Sequence, residues 1–265
     1  MCMNISFEES WLHKVNPALK LFTLTFLFVF AVTIHHLNYM ITFTLTVSIL
    51  FFFCTGQPYK HLLLFLLPFL LVFFSTAVSM ILFGKGETTL FKWGLVNVTE
   101  ESLYRGLHLG FRALVFAMMG ITFVLTTKPV QLFYSLMQQL KLHPKYAYSF
   151  MAAIRLIPIM FEELQTIRDA RKVRGIQSQK GLSGVLKSIK SLPIPLLSQS
   201  IRRAFRIAVA MEAKRFNSSN ARTFYYHIGF SIYDLLFIVY FVLTISLAYF
   251  FALEFPLFPV TDVRH

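Results

Sequence analysis

Between Lys128 and Arg222 this chain carries 17 Lys and Arg residues against 4 acidic ones. That excess equals the formal charge of the whole 265-residue protein, +13. The flanks hold 8 basic and 8 acidic residues and balance to zero. Those flanks are apolar and the middle is basic. A membrane protein keeps its Lys and Arg on the cytoplasmic side. The pattern therefore calls for a membrane anchor built around one large cytoplasmic region. Composition agrees, with 56% hydrophobic residues, 31 Phe and only 14% charged residues, against about 25% charged in soluble domains. A basic chain can also bind nucleic acid, but membrane-length apolar runs put that reading aside. Cys2 and Cys54 offer neither a disulfide framework nor a thiolate metal site. No HExxH, GxGxxG, Walker-type or GxSxG motif is present.

A membrane span needs about 20 mostly apolar residues. Five stretches qualify: Ala18 to Leu37, Asn38 to Cys54, Leu62 to Phe83 with Pro68 inside it, Leu103 to Thr126, and Gly229 to Leu253. The first is not read as a cleaved signal peptide, because no small-residue cleavage site follows it. If the basic region is cytoplasmic, counting back puts the amino terminus inside and the loop Gly84 to Ser102 outside. The carboxyl terminus then falls outside. The expected fold is all-α: a polytopic membrane protein with about five transmembrane helices and long cytoplasmic coupling helices. Residues 1–126 hold four spans, 127–228 the cytoplasmic region, and 229–265 the last span and tail.

The cytoplasmic region has helical apolar spacing. Pro129 suits the first turn of a helix reaching Leu142. Pro144 starts a second, running to Arg174 and stopped by Gly175, with Pro158 expected to kink it. Ile176 to Ser191 mixes Ser, Gly and Lys and reads as a linker with room for a short helix. Pro193 and Pro195 are read as chain breaks, and a third helix as running from about Leu196 to Phe216. The turn Asn217 to Asn220 follows it. The second and third helices repeat at an offset of 40: Ile167 matches Ile207, Ala170 matches Ala210, and Arg174 matches Lys214. Each ends in small residues and a basic cluster. Cations favour a helix C-terminus by roughly 0.3–1 kcal/mol, which explains any one of them. Two matched ends also suit acidic pockets on a partner.

Taken together, these residues resemble the transmembrane T component of energy-coupling factor (ECF) transporters, a branch of the ABC importers. That family carries an Ala-Arg-Gly motif at the end of each of two coupling helices. Here the first reads Ala170-Arg171-Lys172-Val173-Arg174-Gly175 and the second Ala210-Met211-Glu212-Ala213-Lys214-Arg215-Phe216. Asn16-Pro17-Ala18-Leu19-Lys20-Leu21 is similar to the family's Asp-Pro-x-x-Lys-Leu signature, and Thr126-Thr127-Lys128-Pro129 to its Thr-Thr-x-Pro. Val173 replaces an Ala, Lys214 an Arg and Arg215 a Gly. Arg and Lys differ at a bidentate site, so either Lys214 serves as a point charge or Arg215 takes over.

The resemblance implies a non-catalytic subunit with no cofactor of its own, ATP being held by two cytoplasmic ATPase subunits. A substrate-binding membrane S component is the third partner, and lipid surrounds the spans. Arg171, Arg174, Gly175, Lys214 and Arg215 are then the ATPase-binding residues. Phe150, Ile154, Ile157 and Phe161 face either the S component or the chain's own interior. Gly106 and Gly110, with Ala113 and Ala117, form a small-residue stripe for close helix packing, against this chain or the S component. Arg105, His108 and Arg112 share a helix face. Arg112 lies about 14 Å into that span and reads as a structural intramembrane charge. The pair His35-His36 lacks a third ligand for metal. The family assigns substrate choice to the S component, so a B vitamin, a thiamine precursor, cobalt or nickel all fit. The altered second motif leans toward a thiamine-type system. Two rival readings are a conventional ABC importer permease and a membrane enzyme with a basic region for anionic lipid. The enzyme would need an acid, base or metal constellation near the membrane; Glu162, Glu163 and Asp169 cluster, but Arg155, Arg168 and Arg171 offer them ordinary helical pairing.

Overall fold

Apolar runs and proline positions leave the backbone few options besides helix. The computed structural model describes residues 10–84, 86, 88–93, 96–175, 191–216 and 223–254. The protein is an all-α polytopic membrane protein with one two-stranded hairpin among the described residues. The order is α1 (Pro17–Thr33), α2 (Leu37–Cys54), α3 (Tyr59–Phe83), β1 (Thr89–Trp93), β2 (Val96–Thr99), α4 (Glu100–Thr126), α5 (Pro129–Gln139), α6 (Pro144–Val173), α7 (Pro193–Ala213) and α8 (Ile232–Glu254). A 3-10 turn, Trp11–Lys14, precedes α1. The chain forms two compact units, one of residues 1–135 with 228–265 and the other of residues 136–227. The division falls inside α5.

In the first unit, α4 packs on α3, α2 and α1, and α2 packs on α8. Their shared core holds Leu27, Ala31, Met40, Phe43, Phe51, Val115, Met119 and Phe237. Phe22, Phe26 and Val29 on α1, and Leu63, Leu67, Leu71 and Phe74 on α3, are exposed. In a bilayer such a surface meets acyl chains and costs nothing. Hydroxyls inside this apolar region bond back to their own helix: Thr44, Thr122 and Thr126 each reach a carbonyl four residues earlier at 2.7 Å. Four helices, α2, α3, α4 and α8, are long and apolar enough to cross a membrane. The fifth, α1, is apolar but has 17 residues, about 26 Å of rise against a hydrocarbon core of about 30 Å.

The loop expected over Gly84 to Ser102 is largely a hairpin, with Thr89 opposite Thr99 and an irregularity between Thr89 and Phe91. It ends in a capping box. Thr99 Oγ1 accepts from the Ser102 N–H, and Ser102 Oγ accepts from the Thr99 N–H. The start of α4 thus moves forward to Glu100.

In the second unit α5 stops at Gln139, short of the expected Leu142. Lys141 has φ +54, and the Leu140 and Leu142 N–H groups both donate to the Leu136 carbonyl. Such a left-handed turn ends a helix whatever follows. α7 begins at Pro193, not Leu196. Prolines break a helix interior, but in the first turn they lose no hydrogen bond, so Pro193 and Pro195 open α7 instead of delaying it. α7 ends at Ala213, three residues before the expected Phe216, for a reason visible at its last turn. The linker expected over Ile176 to Ser191 lies, but for Ser191, outside the described residues, as does the turn Asn217 to Asn220.

Candidate functional site

Helices α6 and α7 end in the same backbone. At the end of α6, the Arg174 N–H donates to the Ala170 carbonyl at 3.2 Å and the Gly175 N–H to the Lys172 carbonyl at 3.0 Å. At the end of α7, the Lys214 N–H donates to the Ala210 carbonyl at 3.1 Å and the Arg215 N–H to the Glu212 carbonyl at 2.8 Å. Arg174 has φ −76 and ψ 9, and Lys214 has φ −81 and ψ 13. Gly175 then takes φ +73 and Arg215 φ +55. Residue by residue, Lys214 is the counterpart of Arg174, and Arg215 stands in the glycine's place. The left-handed residue is what stops each helix.

The surroundings of the two ends can be read in the same way. Arg174 and Lys214 are both exposed. Arg171 is half-buried and donates to Ser191 Oγ at 2.8 Å. Lys172 pairs with Asp169 at 2.9 Å, both well exposed, which is worth little. Thus of the α6 basic residues, Arg171 has a structural partner in this chain and Arg174 points its charge outward.

Side-chain contacts fix how the two helices run. Tyr148 meets Phe216, with ring centroids 5.5 Å apart. Ser200 Oγ lies 3.1 Å from Met160 Sδ, and Arg203 is ion-paired with Glu163. Further along, Thr166 and Ile167 share a cleft of about 300 Å³ with Pro195 and Ser198, and Arg171 reaches Ser191. From the Tyr148–Phe216 contact to the Arg171–Ser191 contact, residue numbers rise along α6 and fall along α7, so the helices are antiparallel. Their C-terminal ends therefore lie at opposite ends of the pair. From Tyr148 to Arg174 the rise is about 39 Å, far beyond what one binding pocket spans. The Glu163–Arg203 contact corrects the expectation that Glu163 pairs along its own helix; its partner is on α7.

Along α6, Phe150, Ile157 and Phe161 are more than half exposed, and Ile154 is half-buried. A second stripe, absent from the sequence reading, runs along α7: Ile194, Leu197, Ile201, Phe205 and Val209, all exposed. Its steps of three and four residues are the signal that reveals it. So much contiguous apolar surface marks an interaction face.

The remaining candidates sit in the first unit. A Cβ on Gly106 would lie 2.7 Å from Ile81 Cγ1 and 2.8 Å from the Ala77 carbonyl. One on Gly110 would lie 2.8 Å from the Phe73 ring. Both glycines therefore face α3 of this chain. Arg112 donates through Nη2 to the Ile34 carbonyl at 2.6 Å and lies 3.0 Å from His108 Nε2. It satisfies the last turn of α1, where helical partners run out. Glu101 binds Thr88 and Glu100 binds the Tyr104 hydroxyl. Among the described residues no three His, Cys, Asp or Glu side chains converge as a metal site would require.

Comparison with known proteins now bears on these helix ends. Residues 8–226 match the family described as CbiQ, cobalt transport protein, a match covering both matched ends and four of the five apolar helices. The chain belongs to this T-component family. Three curated relatives carry the name energy-coupling factor transporter transmembrane protein EcfT. The one from Limosilactobacillus fermentum is 30% identical over 227 residues, 82% of this chain and 84% of the relative. The one from Listeria innocua is 28% identical over 226 residues, covering 81% and 84%. The one from Macrococcus caseolyticus is 26% identical over 238 residues, covering 86% and 89%. As a T-component family member, the chain is a membrane subunit of an ECF transporter. The family's Gly after the motif Arg is here Gly175 at one end and Arg215 at the other, and both hold the left-handed turn.

Proposed function

We propose that this T component transmits ATP-driven motion of two cytoplasmic ATPase subunits to a substrate-binding S component. Arg174 docks on one ATPase and Lys214 on the other. The observation that carries this is the pair of backbone-equivalent basic ends about 39 Å apart along the α6 rise. Two like ends far apart fit two like partners, one each. A single enzyme site or a lipid-binding patch needs no such duplication. Antiparallel helices joined along their length also move as one body, so a push at either end reaches the apolar faces between. Phe150, Ile157 and Phe161 on α6 and the stripe Ile194 to Val209 on α7 supply the surface for the S component. ATP stays on the ATPases; this chain contributes positive charge and rigid levers. Specificity is left to the S component.

Co-purification tests the reading. Tagged wild-type chain should bring down two ATPases and an S component. Arg174→Ala should lose about 2 kcal/mol or more of docking energy, over tenfold in affinity, and retain less ATPase. Full ATPase recovery with Arg174→Ala would remove it from the docking site, and a wild-type chain that captures no ATPase would remove the function.

A further inference from the structure

Asn16 and Lys20 sit one turn apart at the start of α1, and together they hold both passages of the chain out of the membrane unit. Asn16 Oδ1 accepts from the Ala18 N–H at 3.1 Å and from Ser135 Oγ at 2.6 Å. Its Nδ2 donates to the Gly229 carbonyl at 3.3 Å, and its backbone N–H to Asp234 Oδ1 at 2.6 Å. Asp234 Oδ2 accepts from the Ser231 N–H at 2.7 Å. Lys20 Nζ lies 2.7 Å from the Leu12 carbonyl, 3.2 Å and 3.1 Å from the Thr126 carbonyl and hydroxyl, and 3.4 Å from Thr127 Oγ1. Lys20, Asn16 and Asp234 are 1%, 2% and 3% exposed.

The chain leaves this unit at Ser135 and returns to it at Ile228. Thr126, Thr127 and Ser135 lie on the way out; Gly229, Ser231 and Asp234 lie on the way back. Capping α1 would need only one side-chain oxygen. A buried amine and a buried carboxylate are costly unless fully hydrogen-bonded, and truncating one leaves its partners stranded. The cluster thus does far more than start a helix. Within the second unit, Gln138 Nε2 donates to the Tyr226 carbonyl at 2.6 Å, so outgoing and returning segments are bridged there too.

We infer that Asn16, Lys20 and Asp234 are positioning residues for coupling. They clamp both passages at one fixed separation, so that movement of residues 136–227 is passed to the membrane helices instead of being absorbed where the chain crosses. The inference rests on the coupling role proposed above. It also accounts for the two signatures, Asn16-Pro17 to Leu21 and Thr126 to Pro129, as halves of one device.

The test uses the full chain with Cys2 and Cys54 replaced by Ser. Spin labels at Leu140→Cys and Tyr225→Cys, both exposed, report the spread of distances beside the passages. The parent should give one narrow distribution and Lys20→Met a broader one. Lys60→Met, which removes the same charge from an exposed position outside both signatures, should match the parent. In the complex with its ATPases and S component, Lys20→Met should keep ATP hydrolysis but lose the ATP-driven shift between labels at Val173→Cys and Val124→Cys. Asp234→Asn, which keeps the side-chain shape, should show the same split and guards against a misfolded Lys20→Met. An unbroadened distribution, or an ATP-driven shift equal to the parent's, overturns the clamp alone. A parent chain that captures no ATPase overturns the coupling role and the clamp with it.

Discussion

Arg215 occupies a backbone position that favours glycine. Its φ of +55 costs a side-chain-bearing residue roughly 1 kcal/mol relative to glycine. Lys214 carries no such cost and matches Arg174 in both dihedrals. This separates two residues that sequence alone leaves as alternatives. Under the docking proposed above, the charge that docks is Lys214's, while Arg215 holds the turn. Arg215→Gly should therefore keep ATPase recovery intact and should not lower the melting temperature. Lys214→Ala should reduce recovery as Arg174→Ala does. Combining Lys214→Arg with Arg215→Gly restores the family motif and should hold ATPases at least as well as the wild type. A larger loss from Arg215→Gly than from Lys214→Ala, measured by co-purification, would reverse the two roles.

Among the elements, α4 has the most neighbours, and its glycines explain how it fits them. Gly106 abuts the Ala77 carbonyl and Ile81, while Gly120 on the same helix has nothing within 4 Å of a built Cβ. Gly106→Ala should thus destabilise the bundle by about 1–3 kcal/mol through overpacking. Gly120→Ala should be neutral or gain up to about 1 kcal/mol in helix propensity. Thermal unfolding in detergent compares the two, and equal effects would place the α3 contact in doubt. The same helices show what was legible in the sequence. Pro144 and Gly175 bound α6, and apolar runs locate α2, α3, α4 and α8, because caps, prolines and hydrophobic length act locally. The α7 start was misplaced because a proline's meaning depends on whether it falls in a first turn. The hairpin between α3 and α4 is short and carries weak alternation. What the sequence could not show were contacts between distant residues. Asn16 meets Asp234 across 218 positions and Arg112 meets Ile34 across 78; no periodicity encodes either. Arg112 was readable as a structural charge, but its carbonyl partner was not.

For the whole molecule, the decisive quantity is which side of the membrane each unit faces. By the positive-inside rule, the excess of basic residues between Lys128 and Arg222 predicts that α6 and α7 lie in the cytoplasm. The count of spans then turns on α1, the shortest apolar helix. Lys20 touches Thr126, and Ile34 touches Arg112. So α1 runs antiparallel to the last 15 residues of α4, alongside about 21 Å of it. Its far end stops short of the hairpin end of α4, and there the Arg112 guanidinium meets the Ile34 carbonyl that helix geometry leaves open. A short helix completed in this way can cross a bilayer that thins to meet it. Single cysteines in a background lacking Cys2 and Cys54 decide the matter. Val173→Cys and Lys14→Cys, both exposed, should resist a membrane-impermeant thiol reagent in intact cells and react in inverted vesicles. Leu90→Cys in the hairpin, 62% exposed in the wild type, should do the reverse. Labelling of Lys14→Cys from outside, with Val173→Cys still protected, would reduce the spans to four and leave the coupling role standing. Labelling of Val173→Cys from outside would end that role, because the ATPases could not reach Arg174 or Lys214.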